Sequence, residues 1–319
     1  MLEALLIGSI AFLLSVFLGK PIINLLIKYN VLKKVSAEIE ENHSSKTGTP
    51  TMGGIQILLS VLIITGLFNL ENRLSILLPF FAIFTCLIIG IMDDLRTTTL
   101  NATEGLSWKI KMLMLLILSS SIAIILHFQL DVQSINVPIL GQIALDYYYL
   151  PIAILVVFLT TVSVAITDGL DGLLAGNAAI AFAAFAIIAF LQEQVYLAIF
   201  SFTMVGAILG FLWYNAYPAK VFMGETGALP IGVTLGIVSL MTGHWLLLPV
   251  IGIVFLLEAG SAVLQVCYFK FTNGKRIFKM TPLHHHFEIV GWSENQIVIR
   301  FWLIGLIGAI AGIALAITV

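Results

Sequence analysis

Residues 151–191 read PIAILVVFLTTVSVAITDGLDGLLAGNAAIAFAAFAIIAFL, two apolar runs divided by Thr167-Asp168-Gly169-Leu170-Asp171-Gly172-Leu173. Long apolar runs without alternation are membrane-crossing helices, each needing about 20 residues, rather than strands of a barrel. Hydrocarbon tolerates a charged side chain poorly, so two acids at the end of such a span need water or a cation beside them. The glycines let the backbone turn and approach a ligand closely. A spacing of three puts both carboxylates on one side of any helical turn, which suits a hard cation such as Mg²⁺. A solvated turn between helices would use the same residues, and the remainder of the chain has to decide.

Composition extends this reading to the whole chain of 319 residues. With 60% hydrophobic and 10% charged residues and a mean hydropathy of +1.09, it is far too apolar for a soluble domain. The expected fold is an all-α integral membrane protein, a polytopic bundle of about ten transmembrane helices in one domain over residues 1–319. The expected spans are 4–27, 53–68, 74–92, 112–126, 151–167, 177–190, 196–214, 229–240, 245–269 and 296–319. The ninth is long and contains Glu258, so it is expected to be tilted or broken. Segment 131–148, with its Pro138 and Gly141 turn signal, is either a small hairpin or an interfacial stretch. The first span lacks a cleavage site and is expected to be retained. Cys86 and Cys267 lie in apolar runs without partner motifs and are read as buried small apolar residues.

Basic residues orient the bundle. Lys28, Lys33, Lys34, Lys46, Arg96, Lys109, Lys111, Lys220, Lys270, Lys275, Arg276 and Lys279 all fall in loops of one parity, against Arg73 alone in the other. By the excess of basic residues in cytoplasmic loops, that parity faces the cytoplasm and both termini lie outside it. The loop of Asp168 has the cytoplasmic parity.

Four further polar groups share this face. Lys46-Thr47-Gly48-Thr49-Pro50-Thr51-Met52-Gly53-Gly54 opens the second span and offers backbone N–H groups to a phosphate, or plain helix capping. Asp93-Asp94 ends the third span, where adjacent carboxylates repel and call for a cation or a raised pKa on one of them. Asn215-Ala216-Tyr217-Pro218-Ala219-Lys220-Val221-Phe222-Met223-Gly224-Glu225-Thr226-Gly227 offers an aromatic ring to a nucleobase, or an interfacial anchor, and Glu225 as an oxygen ligand. Pro282-Leu283-His284-His285-His286-Phe287-Glu288 suits phosphate contact better than zinc, because adjacent side chains diverge. Glu258, within a span, is either a proton relay or a hydrogen-bonded structural acid. Together these groups suit Mg²⁺-assisted chemistry on a diphosphate.

In family order these motifs resemble the polyprenyl-phosphate N-acetylhexosamine-1-phosphate transferase superfamily. The histidine triplet, followed by Gly291-Trp292-Ser293, is similar to its phospho-N-acetylmuramoyl-pentapeptide transferase branch. The resemblance implies that undecaprenyl phosphate attacks the β-phosphate of UDP-MurNAc-pentapeptide, giving lipid I and UMP for peptidoglycan biosynthesis. It implies a Mg²⁺ requirement, a place in the bacterial inner membrane, a homodimer and no nucleic-acid partner. It implies catalytic roles for Asp93, Asp94, Asp171, His284, His285 and His286. Substrate binding falls to Lys46, Thr51, Lys109, Asp168, Asn215 and Phe222, and metal binding to Asp168, Asp171 and Glu225. This chain departs from the family at Ala165, usually Asn, at Glu225, usually Asp, and at Thr97, often Lys, where Arg96 supplies a nearby charge. The alternative readings are a related transferase using another sugar nucleotide such as UDP-GlcNAc, and a secondary transporter. A charged site near the midplane and inverted repeats would mark a transporter, whereas the paired acids sit at span ends and no repeat is visible.

Overall fold

The computed structural model describes residues 1–32, 48–70, 73–98 and 105–318, and it is an all-α bundle with one small hairpin. The helices are α1 (Leu2–Lys28), α2 (Gly54–Phe68), α3 (Leu74–Thr98), α4 (Trp108–Phe128), α5 (Tyr149–Ile166) and α6 (Leu173–Leu191). They continue as α7 (Val195–Asn215), α8 (Glu225–Met241), α9 (Ile253–Phe271), α10 (Leu283–Val290) and α11 (Glu294–Ala316). Eight are long and apolar enough to cross a membrane, and α2 and α8 are shorter apolar helices. Their shortness has a physical reason in α8, where every residue from Thr226 to Leu240 is buried. A helix wrapped in protein need not match the hydrocarbon thickness.

Lipid tails are as apolar as leucine, so helices here associate through close packing of small residues and through buried hydrogen bonds. Between α1 and α7, a Cβ on Gly206 would collide with the Gly8 carbonyl, so the two backbones nearly touch. Ser15 Oγ donates to Ala207 O at 2.8 Å beside this contact, and Gln56 Nε2 of α2 donates to Ser15 O at 2.8 Å. At the centre, α8 packs against α3 and α5, where Gly232 meets Thr161 and Gly90 meets Glu225 and Thr226.

Four expectations are refined. Segment 131–148 contains an antiparallel hairpin, β1 (Ser134–Val137) with β2 (Gly141–Ala144), in register Ser134 to Ala144. Asn136 fastens it to the end of α8, its N–H donating to Gly243 O at 2.9 Å. The ninth span is broken: a single turn, Leu248–Ile251, stops at Gly252 before α9 begins. The eighth span starts earlier than its apolar core, at Glu225, so the residues after Gly224 are a helix start rather than a loop. The segment of the histidines folds as α10. Cys267 is corrected too, being exposed on α9 while Cys86 is buried.

Replacing Gly206 by valine is expected to push α1 off α7. Overpacking of this kind costs about 1–3 kcal/mol, and it is measured as a lower thermal unfolding midpoint of the detergent-solubilised protein; an unchanged midpoint would mean that the helices do not meet there.

Candidate active site

The first turn of any helix leaves backbone N–H groups without intrahelical partners and carries partial positive charge. At the start of α8 these groups are met by acids from two other elements. Gly224 N donates to Asp168 Oδ2 at 3.2 Å, Glu225 N to Asp94 Oδ1 at 3.2 Å and Thr226 N to Asp94 Oδ2 at 3.0 Å. The Thr226 hydroxyl also donates to Asp94 Oδ2. Gly224 has φ +73°, and a side chain there would lie 2.6 Å from Asp94 Oδ2 and 3.1 Å from Thr51 Oγ1. Only glycine fits both conditions.

Asp93, the neighbour of Asp94, accepts Leu106 N at 3.0 Å and Lys111 Nζ at 3.1 Å. Lys111 also pairs with Glu225 Oε1 at 2.8 Å, so one ammonium ties α3 to α8. Sequence reading had named Lys109, which is exposed on the first turn of α4. Residues two apart on a helix point to nearly opposite sides. Locating the helix start at its cap Ser107, whose Oγ accepts Ile110 N at 3.4 Å, would have left this phase open all the same. Arg96 is likewise exposed, so the cation beside the acids is Lys111 rather than Arg96.

The two acids of the 167–173 loop take different partners. Asp168 reaches the start of α8, whereas Asp171 Oδ2 accepts Ala219 N at 2.9 Å. Asp171 N in turn donates to Glu294 Oε1 of α11 at 2.8 Å. Asn215 spends its side chain on backbone: Oδ1 accepts Gly172 N at 3.0 Å and Nδ2 donates to Val221 O at 2.9 Å. Phe222 is half-buried at the rim, its N–H donating to Pro50 O at 2.8 Å and its carbonyl accepting Gly53 N at 2.8 Å. Thr51 is thereby brought beside Gly224. Lys46 lies outside the described residues.

The three histidines take different partners, although the rings of His284 and His285 lie 4.2 Å apart. His285 Nδ1 pairs with Glu288 at 2.7 Å, and His286 Nδ1 accepts Lys279 N at 3.2 Å. His284 alone reaches the 167–173 loop, with its Nε2 packed against Gly169. Behind it stands Glu258, the acid within a span. Glu258 Oε2 is 2.7 Å from His284 Nδ1, and Oε1 accepts His284 N at 3.2 Å. The side chains are 1% and 0% exposed, and Nε2 has no hydrogen-bond partner among the described residues. Glu258 is therefore a positioning residue, a role that sequence alone left divided between relay and structure. Holding Nδ1 directs Nε2 into the loop.

Asp93, Asp94, Asp168 and Glu225 thus gather around one helix start, with Lys111 as their one close ammonium among the described residues. Such an excess of oxygen donors suits a hard divalent cation, and Glu225 Oε2 is buried without a hydrogen-bond partner among the described residues. No three His, Cys, Asp or Glu side chains form a ready-made cluster among the described residues. A small cation there would draw part of its shell from water and bound phosphate, as Mg²⁺ commonly does.

The model of glycosyl transferase family 4 matches residues 76–243. The chain is 42% identical to a phospho-N-acetylmuramoyl-pentapeptide-transferase of Chloroflexus aurantiacus, over 99% of this chain and 90% of the relative. It is 41% identical to one from Bacillus licheniformis, over 98% of each, and 39% identical to one from Listeria monocytogenes, over 97% of each.

Glu258→Ala removes one member of a buried pair and strands the other, which typically costs about 3–5 kcal/mol. The expected result is a clear drop in the thermal unfolding midpoint that Glu258→Gln, still able to accept from His284, largely avoids. Equal midpoints for wild type and both variants would show that the pair is absent.

Proposed function

The chain belongs to the phospho-N-acetylmuramoyl-pentapeptide-transferase family within glycosyl transferase family 4, and on that premise we propose how its acidic helix start works. The protein is a membrane transferase of peptidoglycan biosynthesis in a bacterial multi-pass setting. Its substrates are UDP-MurNAc-pentapeptide and undecaprenyl phosphate, its products lipid I and UMP. The observation that carries this reading is the meeting of α3, α8, Lys111 and the 167–173 loop at the first amides of α8. Acids at helix ends, rather than at mid-bundle, speak against the transporter alternative.

Both substrates are anions, and their approach is the physical obstacle. A phosphate monoester loses its second proton at about pH 6, so the attacking oxygen is already anionic at neutral pH. Neutralisation and placement, rather than deprotonation, then supply most of the acceleration. Lys111 provides one positive charge between Asp93 and Glu225. Asp93 orients the attacking lipid phosphate, and His284, buried against Gly169 and held by Glu258, braces the loop that presents Asp168. Phe222 offers its half-exposed ring to the uracil, while Asn215 and Asp171 hold the surrounding loops in register. Of the metal set that the resemblance implies, Asp168 and Glu225 stand at the α8 start while Asp171 turns to Ala219, so Asp94, Asp168 and Glu225 are the residues suited to hold Mg²⁺, which when bound supplies charge stabilisation of the diphosphate and of the departing UMP.

An apolar groove suits the polyprenyl chain. It is a cavity of about 230 Å³ between α5 and the broken ninth span, with Val156, Leu159, Thr160, Trp245 and Phe255 among its walls. Its last α5 residue is Ser163, whose carbonyl accepts the Thr167 hydroxyl at 2.9 Å, one residue before Asp168. A tail in this groove delivers its phosphate to the acids. The excess of basic residues in loops of one parity supports a cytoplasmic site, with both termini outside.

Purified protein with undecaprenyl phosphate, Mg²⁺ and UDP-MurNAc-pentapeptide is expected to release UMP, and UDP-GlcNAc is expected to give little. Release from UDP-GlcNAc alone would transfer the protein to the other branch. Asp93→Asn and Lys111→Met are each expected to slow release by roughly a hundredfold or more while the protein remains folded at the assay temperature. Near-normal rates in either would remove that side chain from the reaction. Chelation of divalent cations is expected to abolish release, and full activity in excess chelator would exclude the metal.

A further inference from the structure

We propose that the pocket enclosed by the end of α9, residues 272–282 and α10 binds the headgroup of an anionic glycerophospholipid of the surrounding membrane. The cavity is about 590 Å³, and its walls carry three cations, Lys270, Arg276 and Lys279, with no acidic residue among them. The remaining wall is largely apolar, formed in part by Val266, Phe269 and Ile289.

The order of these residues along the chain identifies the ligand class. From Val263 to Phe271 every α9 side chain except Gln265 is exposed, so this half of a membrane-length helix faces lipid. Val266 and Phe269 belong to that lipid-facing stretch, while Lys270 lies in the last turn and Arg276 and Lys279 follow it. An apolar wall at the hydrocarbon edge with cations at its polar margin matches an amphiphile whose phosphate sits beside an acyl chain. A water-borne anion would engage the cations and leave the apolar wall wet. Lysine and arginine suit this place because their stems pack on apolar surface while the charge reaches the headgroup plane.

The pocket is held open by backbone and Gln265 hydrogen bonds rather than by the cations themselves. Gln265 Oε1 accepts Ile277 N at 3.0 Å and Phe278 N at 3.1 Å, and its Nε2 donates to Phe278 O at 3.2 Å. Arg276 and Lys279 flank this clamped pair. Lys279 N donates to His286 of α10, which fixes the third wall. Glu288, the acid on α10, is engaged with His285. An excess of basic residues on a cytoplasmic face needs no walled cavity, whereas here the backbone is tied down around one. The site is separate from the groove proposed for the polyprenyl tail. Gln265 lies nine positions along α9 from Leu256 of that groove, about 14 Å of helix.

The test uses the whole protein in nanodiscs of equal phosphatidylglycerol and phosphatidylcholine, released into native mass spectrometry to read retained lipid. Wild type is expected to retain phosphatidylglycerol in preference. K270Q/R276Q/K279Q is expected to bind it about a hundredfold more weakly, from roughly a factor of five per cation. Glycerol phosphate at millimolar concentration is not expected to displace the lipid. Single Arg276→Gln and Lys279→Gln variants, each with a several-fold loss, provide the reading should the triple variant unfold. Equal retention of the two lipids, unchanged binding in the variants, or displacement by glycerol phosphate would each overturn the proposal. One-for-one displacement of phosphatidylglycerol by undecaprenyl phosphate would also overturn it, making the pocket a second substrate site.

Discussion

The positive end of α8 is the constraint around which the site is arranged. Three successive amides, of Gly224, Glu225 and Thr226, need acceptors at a place where the bundle excludes most water. Asp94 from α3 and Asp168 from the loop after α5 supply them, and in doing so they fix three segments that are far apart in sequence. The bargain is mutual, because carboxylates beside apolar spans are tolerable only where donors and positive potential surround them. Gly224 is required by the same arrangement. Its backbone is in the left-handed region, and the Asp94 carboxylate fills the space of its missing side chain.

A second buried charge supports the other side of the loop. Glu258 is fully enclosed in α9 and would be costly as a lone acid. Two donors from His284 satisfy its two oxygens, and they also set the direction in which the imidazole points. The break at Gly252 starts α9 afresh, so the α9 residues that meet α10 are set independently of the helical turn before it. One acid thus carries a constraint from the lipid-exposed helix to Gly169, while Trp302 Nε1 and Glu294 of α11 hold Gly172 O and Asp171 N from a third direction.

Span placement was legible because hydropathy is a property of composition over twenty residues, which a sequence displays directly. The all-α bundle and the broken ninth span follow from it, and the parity of the loops assigned the motifs to one end of the bundle, where they do meet. Details of helical phase within that end were not legible. Whether Lys109 or Lys111 turns inward depends on where α4 begins and how it is rotated, and both lysines are equally plausible in a charge count. The partner of Glu258 is 26 residues away on another helix, a distance across which no local pattern reports. Helix α10 was missed for a simpler reason: its eight residues are too few to stand out against the polar segment around them.

The departures of this chain from its family are best understood together. Asp at position 225 would compete with Asp94 for the amides at the α8 start, since short acids favour caps. Glutamate has one more methylene, and its carboxylate instead leaves the helix start and meets Lys111 at 2.8 Å. Position 97, often lysine in the family, is here threonine, and its hydroxyl donates to Asp94 O at 2.8 Å within α3. The positive charge beside Asp93 therefore comes from α4 rather than from α3 itself. The longer acid at 225 and Asp93 thus share the one ammonium of Lys111. Ala165 is different, for it packs among apolar neighbours of the core and its carbonyl still accepts Asp168 N at 3.2 Å, so the turn that presents Asp168 forms without the amide side chain.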